Sequence, residues 1–364
     1  TTDENGINWI KIGDTKEATK YIYKTEEKTK PTGLKKTRLV HDGDFILSNS
    51  MSFGRPYLMK TTGAIHDGWL VLREKHADID KDFFYYLLGS PVVFNQFDKL
   101  AAGSTVRNLN TKLVSNVEVS FPPLSEQKRI VKKLDEVFEK VTEAKEAAEK
   151  NLQNSKELFE SYLQSVFVNP KWVHKKLGDI AKHSLGKMLD KAKNKGELKP
   201  YLRNLNVRWF EFDLSDIQEM KFEAKEIEKY TAIKGDVLIC EGGYPGRSAI
   251  WMDEQPIFFQ KAIHRVRFPT LFESKWFIYY LYLLHKTGGL KKYLTGTGIL
   301  HFTGEALDSF VLPVATVAEQ KTIVKKFNTL SVETKKLEKI YEQKLSDLEE
   351  LKKSVLKRAF AGQL

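Results

Sequence analysis

The chain has 364 residues, 41% hydrophobic and 12% aromatic. That is ample for a buried core and long for one domain, so two units are expected. Lys and Arg outnumber Asp and Glu by 59 to 48, a net charge of +11, which favours a polyanionic partner such as nucleic acid or an anionic membrane surface. A lone cysteine, Cys240, excludes an internal disulfide, no Cys/His cluster has zinc spacing, and no apolar run reaches the roughly 18 residues of a membrane helix, so a cytoplasmic protein with no membrane partner is expected.

Taken in chain order, GINWIKIGD reads as a leading strand that hands Lys11 to a loop. FILSN (Phe45 to Asn49) and GWLVLRE (Gly68 to Glu74) are strands rich in β-branched and aromatic residues, and KDFFYYLLGS is an apolar helix. Between the strands, SNSMSFGRPY offers Ser48, Asn49, Ser50 and Arg55; later AAGSTVRNLN offers Ser104, Thr105, Arg107 and Asn108. Hydroxyls suit phosphates, while Arg and Asn can address base edges bidentately.

From Ser125, after Pro122-Pro123, apolar residues recur every three or four positions to Phe167, and Asn169-Pro170 closes the run. KWVHKKLGDI (Lys171 to Ile180) then opens a second globular stretch, in which PYLRNLNVRWF supplies Arg203, Asn204, Asn206 and Arg208. DVLIC and AIHRVRF are strands, SKWFIYYLYLLHK is a helix, EGGYPGRSA carries Tyr244 and Arg247, and LTGTGILHF carries Thr295 and Thr297. Thr316 and Glu319 form a capping box at the start of a second long amphipathic stretch, with Gly362 placed to end it. At 1.5 Å per residue each long helix runs to about 60 Å, and a stripe that long needs a partner. The economical partner is the other helix, packed antiparallel in coiled-coil fashion.

The two halves repeat each other. SEQKRIVKKL is answered by AEQKTIVKKF, with Gln127 and Gln320 193 positions apart, and GDFIL by GDVLI, with Gly43 and Gly235 192 apart. Gly54-Arg55 matches Gly246-Arg247, Tyr85-Tyr86-Leu87 matches Tyr279-Tyr280-Leu281, and Gly103-Ser104-Thr105 matches Gly296-Thr297-Gly298. The expected fold is α+β with a pseudo-two-fold internal repeat: a head at 1–124, a helical spacer at 125–170, a second head at 171–315 and a second spacer at 316–364. The entry segment before Tyr201 has no full counterpart ahead of Trp9, so the first unit is expected to lack about twenty residues. Residues 125–167 hold 8 basic and 9 acidic side chains and 318–364 hold 11 and 7, which leaves most of the basic excess on the heads. Duplicate rod openings imply two equivalent docking partners, with Gln127, Ile130, Val131, Gln320, Ile323 and Val324 as candidate contacts.

Catalytic motifs are not evident. There is no Walker A sequence, no GxGxxG after a strand and no polar-Pro-Pro-aromatic methyltransferase motif. Glu223-Ala224-Lys225 has the carboxylate-x-lysine form of some nucleases, but no upstream strand Asp accompanies it. No cofactor and no metal are expected.

PPLSEQKRIVKKLDEVF, AEQKTIVKKF, WVHKKLGDIA and the terminal SVLKRAFAGQL together resemble the specificity (HsdS) subunit of type I restriction-modification systems, over essentially the whole chain. The resemblance implies two target-recognition domains separated by two helical regions that pack antiparallel. It also implies a catalytically silent subunit that binds double-stranded DNA and two modification (methyltransferase) subunits. In the full complex restriction subunits join, each head reads half of a bipartite target, and the helices set the gap. The competing reading is a structural adaptor that bridges protein partners without touching DNA.

Overall fold

The computed structural model describes residues 6–15, 20–50, 53–75, 77–101, 108–190 and 192–364. The chain divides into two compact units, Thr1–Lys150 with Tyr341–Leu364, and Asn151–Ile340. Each of the two long helices, Leu124–Phe167 and Val317–Ala359, therefore gives one half to each unit.

In the first unit, Ile7–Ile10 pairs antiparallel with Glu27–Thr29 and parallel with Gly63–Ile65, which pairs antiparallel with Arg38–Val40. A second sheet centres on Phe45–Ser48, flanked antiparallel by Pro56–Met59 and Trp69–Leu72. All four residues of Phe45–Ser48 are buried, so both faces of this strand are covered. Helix Lys81–Leu88 starts where the Asp80 carboxylate accepts the Phe83 N–H, and its Phe83 and Leu87 pack into the core.

The second unit repeats the plan. Glu197–Leu202 pairs antiparallel with Gln218–Phe222 and parallel with Ile257–Phe259, and Val237–Cys240 lies between Ser248–Ile250 and Ile263–Arg267. Here an extra ladder joins the entry strand Val173–Lys176 to Val311–Val314. Among the described residues, the counterparts of Val311–Val314 in the first unit, Glu118 to Phe121, belong to no strand.

The repeat holds at the level of single hydrogen bonds. Gly43 N–H donates to Met59 O and Gly235 N–H to Trp251 O; Gly54 N–H reaches Ser48 O and Gly246 N–H reaches Cys240 O. All four glycines have positive φ, between 72° and 97°, which a side chain would strain. Asp44 and Asp236 each accept a forked pair of bonds from an arginine, Arg73 and Arg267. One alignment shifts. Tyr86 donates its hydroxyl to Asp135 and Tyr279 donates to Asn328, so these two tyrosines are equivalent and the Tyr-Tyr-Leu match slips by one residue. The side chains are placed by the polar residue each must reach on the long helix, whereas sequence identity there is satisfied by either register.

Within the first unit, Ile130, Leu134 and Phe138 of the first long helix pack with Val355, Ala359 and Phe360 of the second, and Lys145 pairs with Glu349. Within the second, Phe159, Tyr162 and Phe167 pack with Ile323, Phe327 and Leu330. The beginning of one helix meets the end of the other in both cases, so the pairing is antiparallel. The second helix begins with the expected box: Thr316 N–H and Oγ1–H both donate to Glu319 Oε2, and Glu319 N–H donates to Thr316 Oγ1.

Candidate nucleic-acid interface

In the second unit three candidate loops converge. Arg247 lies over the Tyr244 ring, guanidinium carbon to centroid 3.8 Å, and its Nη2 donates to Asn204 O at 2.9 Å. Asn204 Nδ2 donates to Gly242 O, and Phe302 N–H donates to Glu241 O at 2.7 Å. The third loop is itself a tight hairpin: Thr295 and His301 exchange both backbone bonds, with Gly296 at φ 113° between them. Thr295 and Thr297 are exposed on it, as are Ile299 (70%) and Leu300, and Tyr244 is half exposed. A stacked tyrosine-arginine pair beside two apolar side chains and two threonine hydroxyls can stack on bases and bond to phosphates.

The first unit carries the same frame with different tips. Leu109 N–H donates to Asn49 O, as Phe302 does to Glu241 O, joining the first and third loops. Asn49 Nδ2 is held by Asp67 O at 2.7 Å, and Ser50 is half-buried. Arg55 is exposed, with its guanidinium 5.3 Å from the Tyr57 ring centroid, and Asn108 is exposed. Ser104, Thr105 and Arg107 lie outside the described residues. Lys11 pairs with Glu27 at 2.6 Å, a bond that raises its pKa and turns it toward the neighbouring strand.

Several candidates are used inside the fold. Ser48 is fully buried, its Oγ accepting the Arg55 N–H at 3.1 Å, so it shapes the turn and offers no surface to DNA. Asn206 is buried: its Oδ1 accepts Arg203 N–H and its Nδ2 donates to Asp213 O and Asp216 O. Its equivalent is Asp14, whose carboxylate accepts Lys11 N–H in the same turn, which identifies both as turn locks. Arg203 is paired with Asp216, and Arg208 with Leu205 O and Asp213, so each must exchange an internal partner before it can take a phosphate.

The rod-opening residues need a similar correction. Gln127 is fully buried; it accepts Asp80 N–H at 2.9 Å and donates to Asp78 O and Pro122 O. Gln320, also buried, donates to Ala315 O. Ile130 and Val324 lie in the cores, with Val131 and Ile323 partly buried against them. Gln127 and Gln320 of the repeated EQK…IVKK therefore fasten each head to its rod. The exposed aliphatic pair Ile299-Leu300 shows in the sequence only as two large aliphatics after a glycine-rich turn, where polarity gives no sign of a surface role.

Glu223 and Lys225 form an exposed ion pair at 3.4 Å. Glu223 and Glu226 close a capping box around a single turn, and Glu226 accepts from the buried ammonium of Lys187. No group of three or more potential metal ligands occurs among the described residues. Burial drives the Cys240 thiol up to about 11 and His264 down to about 4, so a neutral thiol and a neutral imidazole sit in the second core.

Two heads on one hydrogen-bond skeleton, with divergent loops at matching places, define a duplicated scaffold that presents two different surfaces. The sequence model of the type I restriction modification DNA specificity domain matches residues 1–153 and 169–346, and the chain belongs to that family. It is 24% identical over 307 residues to the type I restriction enzyme EcoKI specificity subunit of Escherichia coli (strain K12), a match that covers 78% of this chain and 65% of that relative. Among solved structures it resembles the HsdS subunit of Thermoanaerobacter tengcongensis (TM-score 0.59, 20% identity, 90% of this chain and 82% of that one). It also resembles a chain from a structure concerned with assembly and conformational transition of the type I R-M system (TM-score 0.79, 18% identity, 98% and 92%). At these identities the structural likeness speaks to the fold.

Proposed function

We propose that this chain is the DNA-specificity subunit of a type I restriction-modification complex. Its two heads read the two halves of a bipartite double-stranded DNA target, the paired helices set the spacing, and two modification subunits and the restriction subunits assemble on it and supply the chemistry. The heads comprise residues 1–124 and 171–315, the spacers 125–170 and 316–364, and the complex works in the cytoplasm. The observation that carries this reading is the reuse of one backbone bond network under loops of different chemistry, which suits recognition of two unlike half-sites. The rods' near balance of charge, against the basic heads, fits the same division of labour. The test is fluorescence anisotropy of the chain reconstituted with its modification subunit. One bipartite duplex should bind at least a hundredfold more tightly than random duplex at physiological salt; equal affinity for all duplexes across a salt series overturns sequence reading.

A further inference from the structure

The most exposed large hydrophobic side chain among the described residues stands on one of the three converging loops of the second unit. Ile299 is 70% exposed and Leu300 43%, next to each other in the hairpin that Thr295 and His301 close. The hairpin is fixed at its base. Phe302 is fully buried and its N–H donates to Glu241 O, the Tyr293 hydroxyl accepts the Val311 N–H at 3.2 Å, and Leu294 packs against the core of the unit. It is also folded tightly, since a Cβ on Gly296 would lie 2.2 Å from Ile299 O. An aliphatic pair held out on a fixed stem gains free energy when a surface covers it.

Charge says what that surface is. Residues 287–304 contain no Asp or Glu, Lys291 and Lys292 are exposed ahead of the hairpin, the exposed Thr295 and Thr297 precede the pair, and the Arg247-Tyr244 stack lies on the neighbouring loop. A surround without carboxylates suits a polyanion that is apolar between its phosphates, and stacked base pairs are such a surface. We propose that Ile299 and Leu300 form a wedge that enters the second half-site between two stacked base pairs, while the lysines and hydroxyls hold the flanking phosphates. The apolar surface that the wedge buries offsets the lost stacking. Unstacking costs least at a pyrimidine–purine step, so the wedge adds selectivity for a flexible step at that place. This inference rests on the DNA-reading proposal and adds to it a point at which the duplex is opened.

The test uses the full chain reconstituted with its modification subunit, on duplexes of its methylated target. 2-Aminopurine replaces each purine of the second half-site in turn, except the adenine that is methylated. Binding should raise the fluorescence at one step. Ile299→Ser with Leu300→Ser should abolish that rise and weaken binding to the second half-site roughly tenfold to a hundredfold, with selectivity for the first half-site kept. Ile299→Leu with Leu300→Met should retain the rise. Selective binding with no rise at any position, or a rise that the serine variant retains, overturns the wedge alone and leaves DNA reading standing; equal affinity for all duplexes overturns both. Weaker assembly of the serine variant with the modification subunit, with its DNA response intact, also overturns the wedge and makes the pair a protein contact.

Discussion

The turn that carries Arg55 and the turn that carries Arg247 share two backbone bonds, from the N–H of Ser48 or Cys240 to the arginine O and from the N–H of Gly54 or Gly246 to Ser48 O or Cys240 O, yet the first arginine stands in solvent and the second is clamped between Tyr244 and Asn204 O. The difference teaches how a duplicated fold can specialise. Positive-φ glycines and buried aspartates keep the frame, while the side chains that leave the frame are free to diverge.

The frame itself can be broken unequally. Asp236 is 1% exposed and its Arg267 side chain 34%, whereas Asp44 is 8% exposed and Arg73 54%. Asp236→Ala strands a partly desolvated guanidinium and should destabilise the second unit by about 3 kcal/mol. Asp44→Ala leaves an arginine that reaches water, so about 1 kcal/mol is expected after solvent screening. Urea melts read by amide exchange in each unit would separate the two losses; equal losses would show that burial of the arginine does not set the cost.

A second contrast lies at the rod openings. Gln127 holds three backbone groups and Gln320 one, with its Oε1 buried and unpartnered. Gln127→Ala should therefore cost about 2 kcal/mol and Gln320→Ala about 1 kcal/mol, checked by the same melts.

On DNA, Arg55→Ala should weaken binding by roughly tenfold and reduce the slope of log affinity against log salt by about one, as loss of a single phosphate contact requires. Arg247→Ala removes a clamp as well as a charge, so selectivity for one half-site should fall more than salt dependence does. Anisotropy on matched and half-mismatched duplexes reads both effects.

The smallest effect is acid sensitivity. Burial pushes the Asp44 carboxyl upward, but bonds from Arg73 and the His41 N–H outweigh it and hold the pKa below the ordinary carboxylate value. Its stabilisation is thus present above an unfolded pKa of about 3.9 and is lost as pH falls below it. Asp44→Asn should flatten that acid limb in a near-ultraviolet circular dichroism titration.

Much of this frame was legible because it is periodic or duplicated. The 192 to 193 offset, the capping box at Thr316 and the helical stripes survive into the structure, since each depends on local spacing. Roles that depend on burial were not legible. Asn206 and Ser48 look like loop contacts until their hydrogen bonds are known, and Gln127 looks like a rod surface residue until Asp78 and Asp80 fold over it. Arg247 and Arg55 occupy one motif in sequence and two environments in space, because the tyrosine that stacks on Arg247 has no like-placed partner three residues before Arg55.

The central claim, one half-site per head, is tested most directly by sequencing methylated adenines in cells that carry the complete system, before and after the tip residues 203–208 and 241–247 are replaced with those of a related head. A single bipartite site is predicted, with one half changed by the replacement while the other half and the gap persist. Loss of both halves together, or methylation without a shared sequence, would contradict the account.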